Sequence, residues 1–468
     1  MLFISMVIGV YHGFGNKPST SSHDHFLTAG GRMAAFPVAI SMLASFLSSI
    51  TLLGQPTEIF LYGPQYWLFG LASFLMIPVV GYVLVPVFRQ NNSYSAYKYF
   101  GDRFNRWLEL LASLFFTVHM IVFLALVLYA PALAMEQVTG MSTMVVVTLI
   151  YVVCIAYTTI GGIKGVVWTD TFQVVVLFIA MTAILVKGTA DIGGFAVVWQ
   201  RNSMFNRTTL FNWDVDPTQR YTVWSSFIGA GCVHAATYGA SQLHVQRYLA
   251  VQSLQSARKT LWINAIGWTF IVVITTYSGL LIFAVYFDCD PLTSKKISKA
   301  DQLFPLYIMD TMATYPGFPG LFMCGILSAG LSTVSTGVNS LAAIWYSEVE
   351  RTRVGVALTP AQASAAVKSL ALAFGLLSYG FVHVVPYMGN LAQVAFSLSS
   401  VFTGSLFGLF ILGITFPRAN SWVNIVDRLL FSSTQPSLLI TFLPLAVSAT
   451  LTRVPHKTEN YCTGDIHQ

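Results

Sequence analysis

Residues 44–58 read ASFLSSITLLGQPTE, an apolar stretch rich in hydroxyl side chains and interrupted near its end by Gly54 and Pro56. Gly followed two residues later by Pro breaks a regular helix and leaves backbone carbonyls without their helical partners. Carbonyls freed at membrane depth are ligands for a cation, and Pro56 suits the first position of a new half-helix, although Glu58 in that turn opposes an anion there. The alternative is a proline-kinked helix end with Glu58 at the aqueous rim.

The composition of the whole chain is that of a membrane protein. Of its 468 residues, 55% are hydrophobic and only 9% are charged, whereas soluble domains carry about a quarter charged residues. Intrinsic disorder, a disulfide scaffold and nucleic-acid binding are excluded as classes, and Cys154, Cys232 and Cys324 lie inside apolar runs. The net charge of +6 is typical of Lys and Arg retained in cytoplasmic loops.

Apolar runs of the length that a spanning helix needs, about 20 residues, recur along the chain. The predicted spans are Ala34–Leu53, Tyr66–Phe88, Trp107–Met135, Thr143–Ile160, Val166–Lys187, Val223–Leu243, Leu261–Phe287, Phe318–Tyr346, Ala366–Val385 and Leu391–Phe416. Two shorter runs are marginal: Met1–Tyr11, which we interpret as a truncated first span, and Pro436–Leu451. The expected fold is an all-α integral membrane protein with about 11–12 transmembrane helices.

The distribution of basic residues predicts the orientation of these spans. If the first span starts outside, most Lys and Arg of the short loops, Arg247 among them, fall in the cytoplasm. The glycosylation sequon at Asn206 (NRT) then falls outside, in a polar loop. The longest polar stretches, Asp191–Arg220 and Asp288–Gly317, are loop-sized, so function is expected to reside within the helices.

Residues 328–340 carry a polar stripe inside an otherwise apolar span. At helical spacing the polar side chains share one face. They are Ser328, Ser332, Ser335, Thr336 and Asn339. A stripe of this kind does not face lipid. Either it lines a functional interior, or its small residues serve close helix packing while the hydroxyls bond to carbonyls one turn back.

Asp170 is an ionisable residue at the start of a long apolar run, which makes it a functional candidate. With Gln173 it also matches the spacing of a capping box at a helix start. A helix beginning after Asp170 would keep only about 17 residues up to Lys187, roughly 25 Å, which is short of the roughly 30 Å hydrocarbon core. We therefore expect Asp170 to lie within the helix.

A second polar face occurs around residues 234–248 and ends at Arg247. Its members are His234, Thr237, Tyr238, Ser241 and Gln242. This face either lines a substrate cavity or forms a girdle at the membrane interface, where His and Tyr are common.

Four ordered strings resemble the sodium:solute symporter family, which includes sodium-coupled glucose, iodide, monocarboxylate and multivitamin transporters. They are residues 44–62, residues 157–173 with GGIKGVVWTDTFQ, residues 242–248 ending in QRY, and LSTVSTGVN at residues 331–339. Within the family, ASFLSSITLLGQPTEIFLYGPQYW looks most like the monocarboxylate, multivitamin and iodide branch. The resemblance covers roughly residues 24–420.

The resemblance implies a LeuT-like fold of two inverted five-helix repeats, with a broken first core helix and with sodium and substrate at the midplane. It divides the chain into a leading segment (1–33), a first repeat (34–187), an extracellular loop (188–222), a second repeat (223–416) and a divergent C-terminal segment (417–468). The family's sodium site maps onto carbonyls of Ala44, Leu47 and Ala329 and hydroxyls of Ser332 and Thr333. Asp170 matches the family's acidic residue, either as a charge behind the ligands or as a ligand of another sodium ion.

By the same resemblance the chain is a plasma-membrane symporter and not an enzyme. It would use Na+ as coupling ion to import a small organic anion, a monocarboxylate or a vitamin-like carboxylate. The candidate substrate contacts are Thr51, His234, Thr237, Tyr238 and Gln242. The alternatives are a channel or a substrate-sensing receptor on the same scaffold, and a truncated, non-transporting product, because residues 421–468 differ from the family's last helices.

Overall fold

The computed structural model describes residues 1–14, 26–91, 93–216, 218–297, 300–312, 315, 317–352, 358–388, 391–416 and 419. The regular structure of these residues is helical, as the composition and the apolar runs predict. The marginal span predicted at Pro436–Leu451 lies outside the described residues.

Fifteen α-helical segments follow one another along the described residues. They are α1 (Leu2–Phe14), α2 (Ala35–Phe46), α3 (Ser49–Tyr62), α4 (Pro64–Gln90), α5 (Lys98–Arg103), α6 (Arg106–Thr139), α7 (Thr143–Asp191), α8 (Phe195–Met204), α9 (Ala230–Ala240), α10 (Gln242–Ala250), α11 (Leu254–Val285), α12 (Leu303–Met312), α13 (Phe318–Thr352), α14 (Pro360–Phe381) and α15 (Leu391–Thr415). Within the described residues, 7 helices are long and apolar enough to cross a membrane, and the bent pair α2–α3 makes an eighth span.

The predicted interruption of the first core helix exists, but it lies earlier than Gly54 and Pro56. Helices α2 and α3 meet at an angle of 64°, and the residues between them, Leu47 (ψ 101°) and Ser48 (ψ 158°), have extended backbone. The Ser48 side chain accepts a hydrogen bond from the backbone N–H of Thr51 at 3.2 Å and so starts α3. The prediction that Pro56 begins the second half-helix is therefore wrong, since Pro56 lies inside α3.

Helix α7 contains two membrane spans. Its 49 residues would measure about 74 Å at 1.5 Å each, more than twice the hydrocarbon core of about 30 Å. Gly162 (φ 56°, ψ −163°) divides the helix, at the predicted boundary between the fourth and fifth spans. A Cβ at this position would lie 2.8 Å from Cδ2 and 3.0 Å from the carbonyl oxygen of Phe26. Both the positive φ and the crowding require glycine here.

A second broken helix starts the second half of the chain. The predicted span Val223–Leu243 is divided at Ser241, whose extended backbone (φ −83°, ψ 128°) separates α9 from α10. Arg247, which the sequence placed in a cytoplasmic loop, lies in α10 and is only 2% exposed. That placement is wrong because the protein interior supplies Arg247 with an anionic partner, described below.

When the two halves of α7 are counted separately and the broken helix α9–α10 is added, the eight spans become ten, in two groups of five that each begin with a broken helix. The first group is α2–α3, α4, α6 and the two halves of α7; the second is α9–α10, α11, α13, α14 and α15. Because five is an odd number, the second group enters the membrane from the opposite side, as an inverted repeat requires. This arrangement is the LeuT-like fold.

Helix α13 is the central element of the bundle. It packs against α7, α6 and α2, and every residue from Gly325 to Ile344 is buried. The polar stripe predicted on this helix therefore faces protein rather than lipid, as expected. The break in α2–α3, the break in α9–α10 and the interior half of α7 that carries Asp170 all surround this stripe.

The kink in α7 leads to a prediction about stability. Gly162→Ala should destabilise the protein by about 1–3 kcal/mol from backbone strain alone, with a further loss because the methyl group collides with Phe26. Gly140→Ala is the matched control, because Gly140 also has a positive φ of 73° but has no neighbouring atom within 4 Å of the added methyl. The measurement is the thermal midpoint of the detergent-purified variants. Equal losses in the two variants would contradict the crowding at Gly162.

Candidate ion and substrate site

The first cluster of site atoms joins the break in α2–α3 to α13. The hydroxyl oxygen of Thr333 lies 3.0 Å from the carbonyl oxygen of Ala329 and 3.4 Å from those of Ser45 and Leu47. Neutral oxygen atoms that replace a hydration shell suit a hard monovalent cation such as Na+. The structure thus brings together Leu47, Ala329 and Thr333 of the predicted set. On α2 the contacting carbonyl belongs to Ser45, one residue after the predicted Ala44.

Ser332 and Asp170 lie beside this cluster, and both are fully buried. The Ser332 hydroxyl neighbours the Asp170 carboxyl group. Apart from this contact with each other, Ser332 Oγ and Asp170 Oδ1 have no hydrogen-bond partner within the described chain. Buried polar atoms without a partner are uncommon because each costs the free energy of its lost hydration. These two oxygens are therefore available to a cation.

Arg247 provides the positive charge that balances Asp170. Its Nη2 lies 3.0 Å from Asp170 Oδ2 and donates to the hydroxyl groups of Ser45 and Thr336 at 2.7 Å. Its Nε donates to the Ser41 hydroxyl at 2.9 Å, and that hydroxyl donates to Asp170 Oδ2 at 2.5 Å. One guanidinium group in α10 thereby connects α2, α7 and α13.

Sequence reasoning missed this role of Arg247. One signal was present, because an ionisable residue inside a span needs a partner of opposite charge. Asp170 was correctly assigned to the interior of a helix, so a basic residue had to enter the membrane region as well. Without the break at Ser241, Arg247 falls beyond the predicted end of its span.

On the other side of the α2–α3 break, Phe46 is surrounded by aromatic side chains. Its ring centroid lies 4.5 Å from that of Trp268 in α11, and 5.3 Å and 5.5 Å from those of Tyr238 and His234 in α9. Phe69 of α4 lies 5.3 Å from His234. We call these five residues the aromatic cluster. Phe46 connects it to the oxygen atoms around Thr333, because the carbonyls on either side of Phe46, those of Ser45 and Leu47, are the ones near the Thr333 hydroxyl.

Two polar atoms of the aromatic cluster, Nδ1 of His234 and Nε1 of Trp268, have no hydrogen-bond partner in the described part of the chain. The hydroxyl of Tyr238 faces only the side chain of Asn264 in α11. Nε2 of His234 lies 3.1 Å from the Phe69 carbonyl oxygen. A carbonyl only accepts, so Nε2 carries the hydrogen and Nδ1 of the neutral ring is an acceptor. Tyr238 and Trp268 offer an O–H and an N–H donor, which suit a small ligand with anionic oxygen atoms.

The other predicted substrate contacts, Thr51, Thr237 and Gln242, are engaged elsewhere. The Thr51 hydroxyl lies 3.0 Å from the hydroxyl of Ser48, the residue that caps α3. The Thr237 hydroxyl donates to a carbonyl one turn back at 2.9 Å. The Gln242 side chain donates to a backbone carbonyl at 2.5 Å and accepts from a backbone N–H at 2.8 Å, both in the loop after α4.

The loop before α9 covers the end of α3. Arg220 binds Glu58 with Nη2 and Oε1 2.9 Å apart, so Glu58 at the end of the broken helix is paired with a loop residue. Arg207 donates to the backbone carbonyl of Ile59 at 3.2 Å. Asn206, the residue of the predicted sequon, is exposed, as a glycosylation acceptor must be; its modification stays a prediction.

Known transporters resemble the chain over most of its length. A model of the sodium:solute symporter family matches residues 26–423. Sodium-coupled monocarboxylate transporter 1 of Xenopus laevis is 36% identical over 429 residues, which are 92% of this chain and 69% of that protein. A Drosophila melanogaster protein assigned to sodium-dependent multivitamin transport is 38% identical over 425 residues, covering 90% of this chain and 70% of that protein.

Solved structures have the same fold. A sodium-coupled sialic acid symporter in a substrate-bound, outward-open state superimposes with a TM-score of 0.78 at 25% identity, covering 96% of this chain and 94% of that chain. A nucleobase-cation-symport-1 family transporter, at 14% identity and a TM-score of 0.54, shares the fold alone. The family model spans nearly all of the ten-span core and the relatives exceed 30% identity, so the chain belongs to the sodium:solute symporter family.

Proposed function

We propose that the chain is a plasma-membrane symporter that uses the inward sodium gradient to import a small carboxylate, either a monocarboxylate or a vitamin-like acid. The observation that carries this proposal is the convergence of the Thr333 hydroxyl with two carbonyls at the α2–α3 break, those of Ser45 and Leu47, each 3.4 Å away. The names of the relatives, monocarboxylate and multivitamin transporters, support the substrate class. Residues 34–187 and 223–416 are proposed as the two inverted repeats.

The proposed sodium ligands are oxygens of Leu47, Ala329, Ser332 and Thr333, with Ser45 beside them. The family's pattern adds Ala44, whose carbonyl makes no contact with Thr333 in this conformation. Asp170 keeps one oxygen free of the Arg247 pair within the described residues, and we propose that this oxygen supports a cation. Binding of Na+ would therefore need little rearrangement of α13.

We propose that the carboxylate binds in the aromatic cluster. Tyr238 and Trp268 donate hydrogen bonds to its oxygens, and Nδ1 of His234 accepts one from a donor group elsewhere on the substrate. The cluster has no Lys or Arg of its own among the described residues, and the nearby Arg247–Asp170 pair is neutral overall. The positive charge that favours an anion therefore comes from the sodium ion on the other side of Phe46.

Coupling follows from this shared position of Phe46. Sodium fixes the two carbonyls that flank Phe46, and this fixes the ring against which the substrate packs. Each ligand then binds more tightly when the other is present, and this reciprocity is required by thermodynamic linkage. Movement between outward-facing and inward-facing states occurs with both bound or neither, as symport requires.

Uptake of radiolabelled lactate, nicotinate, biotin, pantothenate and iodide tests the proposal, with sodium or choline in the medium. We expect saturable, sodium-dependent accumulation of at least one carboxylate above its external concentration. Thr333→Val keeps the side-chain shape but removes the hydroxyl group, so the sodium concentration for half-maximal uptake should rise about tenfold, equivalent to about 1.4 kcal/mol.

Thr333→Ser, which restores a hydroxyl, is the matched control and should recover most of the sodium affinity. Surface biotinylation verifies that the three proteins reach the membrane equally. An unchanged sodium dependence in Thr333→Val would remove this hydroxyl from the ion site. Downhill flux at channel rates without accumulation would overturn symport itself.

The Arg247–Asp170 pair should behave as a unit in thermal unfolding. Arg247→Met leaves a buried carboxylate alone, and losing one partner of a buried pair costs about 3–5 kcal/mol. Asp170→Asn leaves the guanidinium group uncompensated in the same way. The double variant removes both charges, so its thermal midpoint should exceed that of either single variant. Additive losses in the double variant would show that the two side chains do not stabilise each other.

The donor groups of the aromatic cluster should act on substrate affinity. Trp268→Phe and Tyr238→Phe each keep an aromatic ring and remove one donor, and a hydrogen bond to a charged group is worth about 1.5–3 kcal/mol. We expect the KM for the transported carboxylate to rise at least tenfold. Trp262→Phe is the matched control, because Trp262 lies on the same helix but is 47% exposed. Equal KM values for Trp268→Phe and Trp262→Phe would exclude Trp268 from the substrate site.

A further inference from the structure

The loop between α4 and α6 makes hydrogen bonds to the residues on either side of the break in α9–α10. We call residues 93–104, which include α5, the cytoplasmic strap. The hydroxyl of Tyr97 donates to the carbonyl oxygen of Ala240, the last residue of α9, at 3.1 Å. Gln242, the first residue of α10, accepts from the backbone N–H of Ala96 at 2.8 Å and donates to the carbonyl of Tyr94 at 2.5 Å. Both side chains are fully buried.

The other end of the strap is bound to the end of α15. Arg103 donates from Nε to the carbonyl oxygen of Gly413 at 3.1 Å and from Nη2 to that of Phe416 at 3.0 Å. A cation at a helix C-terminus is favoured by the helix dipole as well as by the free carbonyls. The ring centroids of Phe100 and Phe410 are 4.4 Å apart. The strap therefore connects a broken helix of the second repeat to the last helix of that repeat.

A broken helix needs partners for the backbone groups that the break leaves free. At the α2–α3 break, the Thr333 hydroxyl lies against these carbonyls. At the α9–α10 break, the Tyr248 hydroxyl of α10 donates to the Tyr238 carbonyl at 2.9 Å, and the strap supplies the other partners. The Tyr97 hydroxyl donates to the Ala240 carbonyl, and Gln242 binds the strap at the start of α10. The two breaks thus have different partners: a hydroxyl of the central helix α13 at the first, and mainly the strap at the second.

We propose that Tyr97 and Gln242 are positioning residues that hold α10 against the strap and keep the transport site closed to the cytoplasm. This proposal rests on the proposed symport function. These hydrogen bonds would break in the step of the transport cycle in which the site opens to the cytoplasm. Three hydrogen bonds and a buried aromatic side chain cover Ser241 and its neighbours. Loss of one of these bonds should favour the inward-facing state without changing the ion ligands.

Cysteine labelling from the cytoplasmic side tests this proposal. A Ser241→Cys reporter is placed in the full-length chain, and inside-out membrane vesicles are treated with a membrane-impermeant maleimide in sodium-free buffer; the chain without the reporter gives the background. Tyr97→Phe removes one oxygen atom and keeps a ring that packs near Phe100 and Phe116. We expect it to raise the labelling rate about fivefold, the effect of one net hydrogen bond.

Gln242→Ala should have a larger effect, because it loses two hydrogen bonds, and Gln242→Glu an intermediate one, because its carboxylate still accepts from Ala96. Tyr99→Phe is the matched control on the same strap, since the ring of Tyr99 packs on Phe410 and not at the break. It should leave the labelling rate unchanged. In intact cells, Tyr97→Phe should also raise the external sodium concentration for half-maximal uptake, because fewer molecules face outward.

Unchanged labelling of the reporter in both Tyr97→Phe and Gln242→Glu, at normal membrane abundance, would overturn the proposal. If Gln242→Ala fails to reach the membrane, Tyr97→Phe decides the question because it changes a single atom. Faster labelling in a chain that takes up none of the five probes would support the strap and contradict the proposed function. Normal uptake with an unchanged labelling rate would support the proposed symport function and contradict the role of the strap.

Discussion

A helix that is broken inside a membrane exposes backbone groups that lipid cannot satisfy, and this constraint organises the rest of the molecule. The extended residues Leu47 and Ser48 leave carbonyls at the centre of the bundle. The polar stripe of α13 lies opposite them, which explains why a helix buried along its central part carries so many hydroxyl groups. The second break, at Ser241, is satisfied largely by the strap, residues 93–104. Each interruption is thus stable only because another element supplies its partners.

The buried charges follow from the same constraint. An Asp on α7 is tolerated in the interior because Nη2 of Arg247 in α10 lies 3.0 Å away. The other two nitrogens of this guanidinium group also have partners, since Nε donates to the Ser41 hydroxyl and Nη1 to the Leu243 carbonyl. This network is neutral overall and connects both breaks. The cation proposed to bind at Thr333 would therefore meet a site with little net charge, and this favours weak, reversible binding that permits release on the other side of the membrane.

Much of the fold could be predicted from the sequence, because the length of apolar runs is set by the thickness of the bilayer. The division near Gly162 was also predictable, since glycine pairs interrupt a run otherwise long enough for two spans. The position of the first break was not, because Ser48 is one hydroxyl among several and only its cap on Thr51 distinguishes it. Gly54 and Pro56 indicated a helix break more strongly than Ser48 did, but both lie inside α3.

The site was predictable in part. The oxygens around Thr333 came from the resemblance to a family, not from the residues, and the polar stripe alone also fitted simple helix packing. Phe46 and Trp268 were not predictable, because a buried aromatic side chain in a span looks the same whether it packs a core or faces a ligand. Gln242 had the polar character of a substrate contact, but its amide is used by the backbone of the strap.

The position of Phe46 limits how such a protein can diversify. Its ring contacts the side chains proposed to recognise cargo, while the peptide groups before and after it face Thr333. A substitution at Phe46 would therefore alter the proposed sodium ligands and the proposed substrate contacts at the same time. Side chains on the facing surfaces of α9 and α11 can change without altering the backbone at Phe46, so substrate preference could change there while the proposed ion ligands keep their positions.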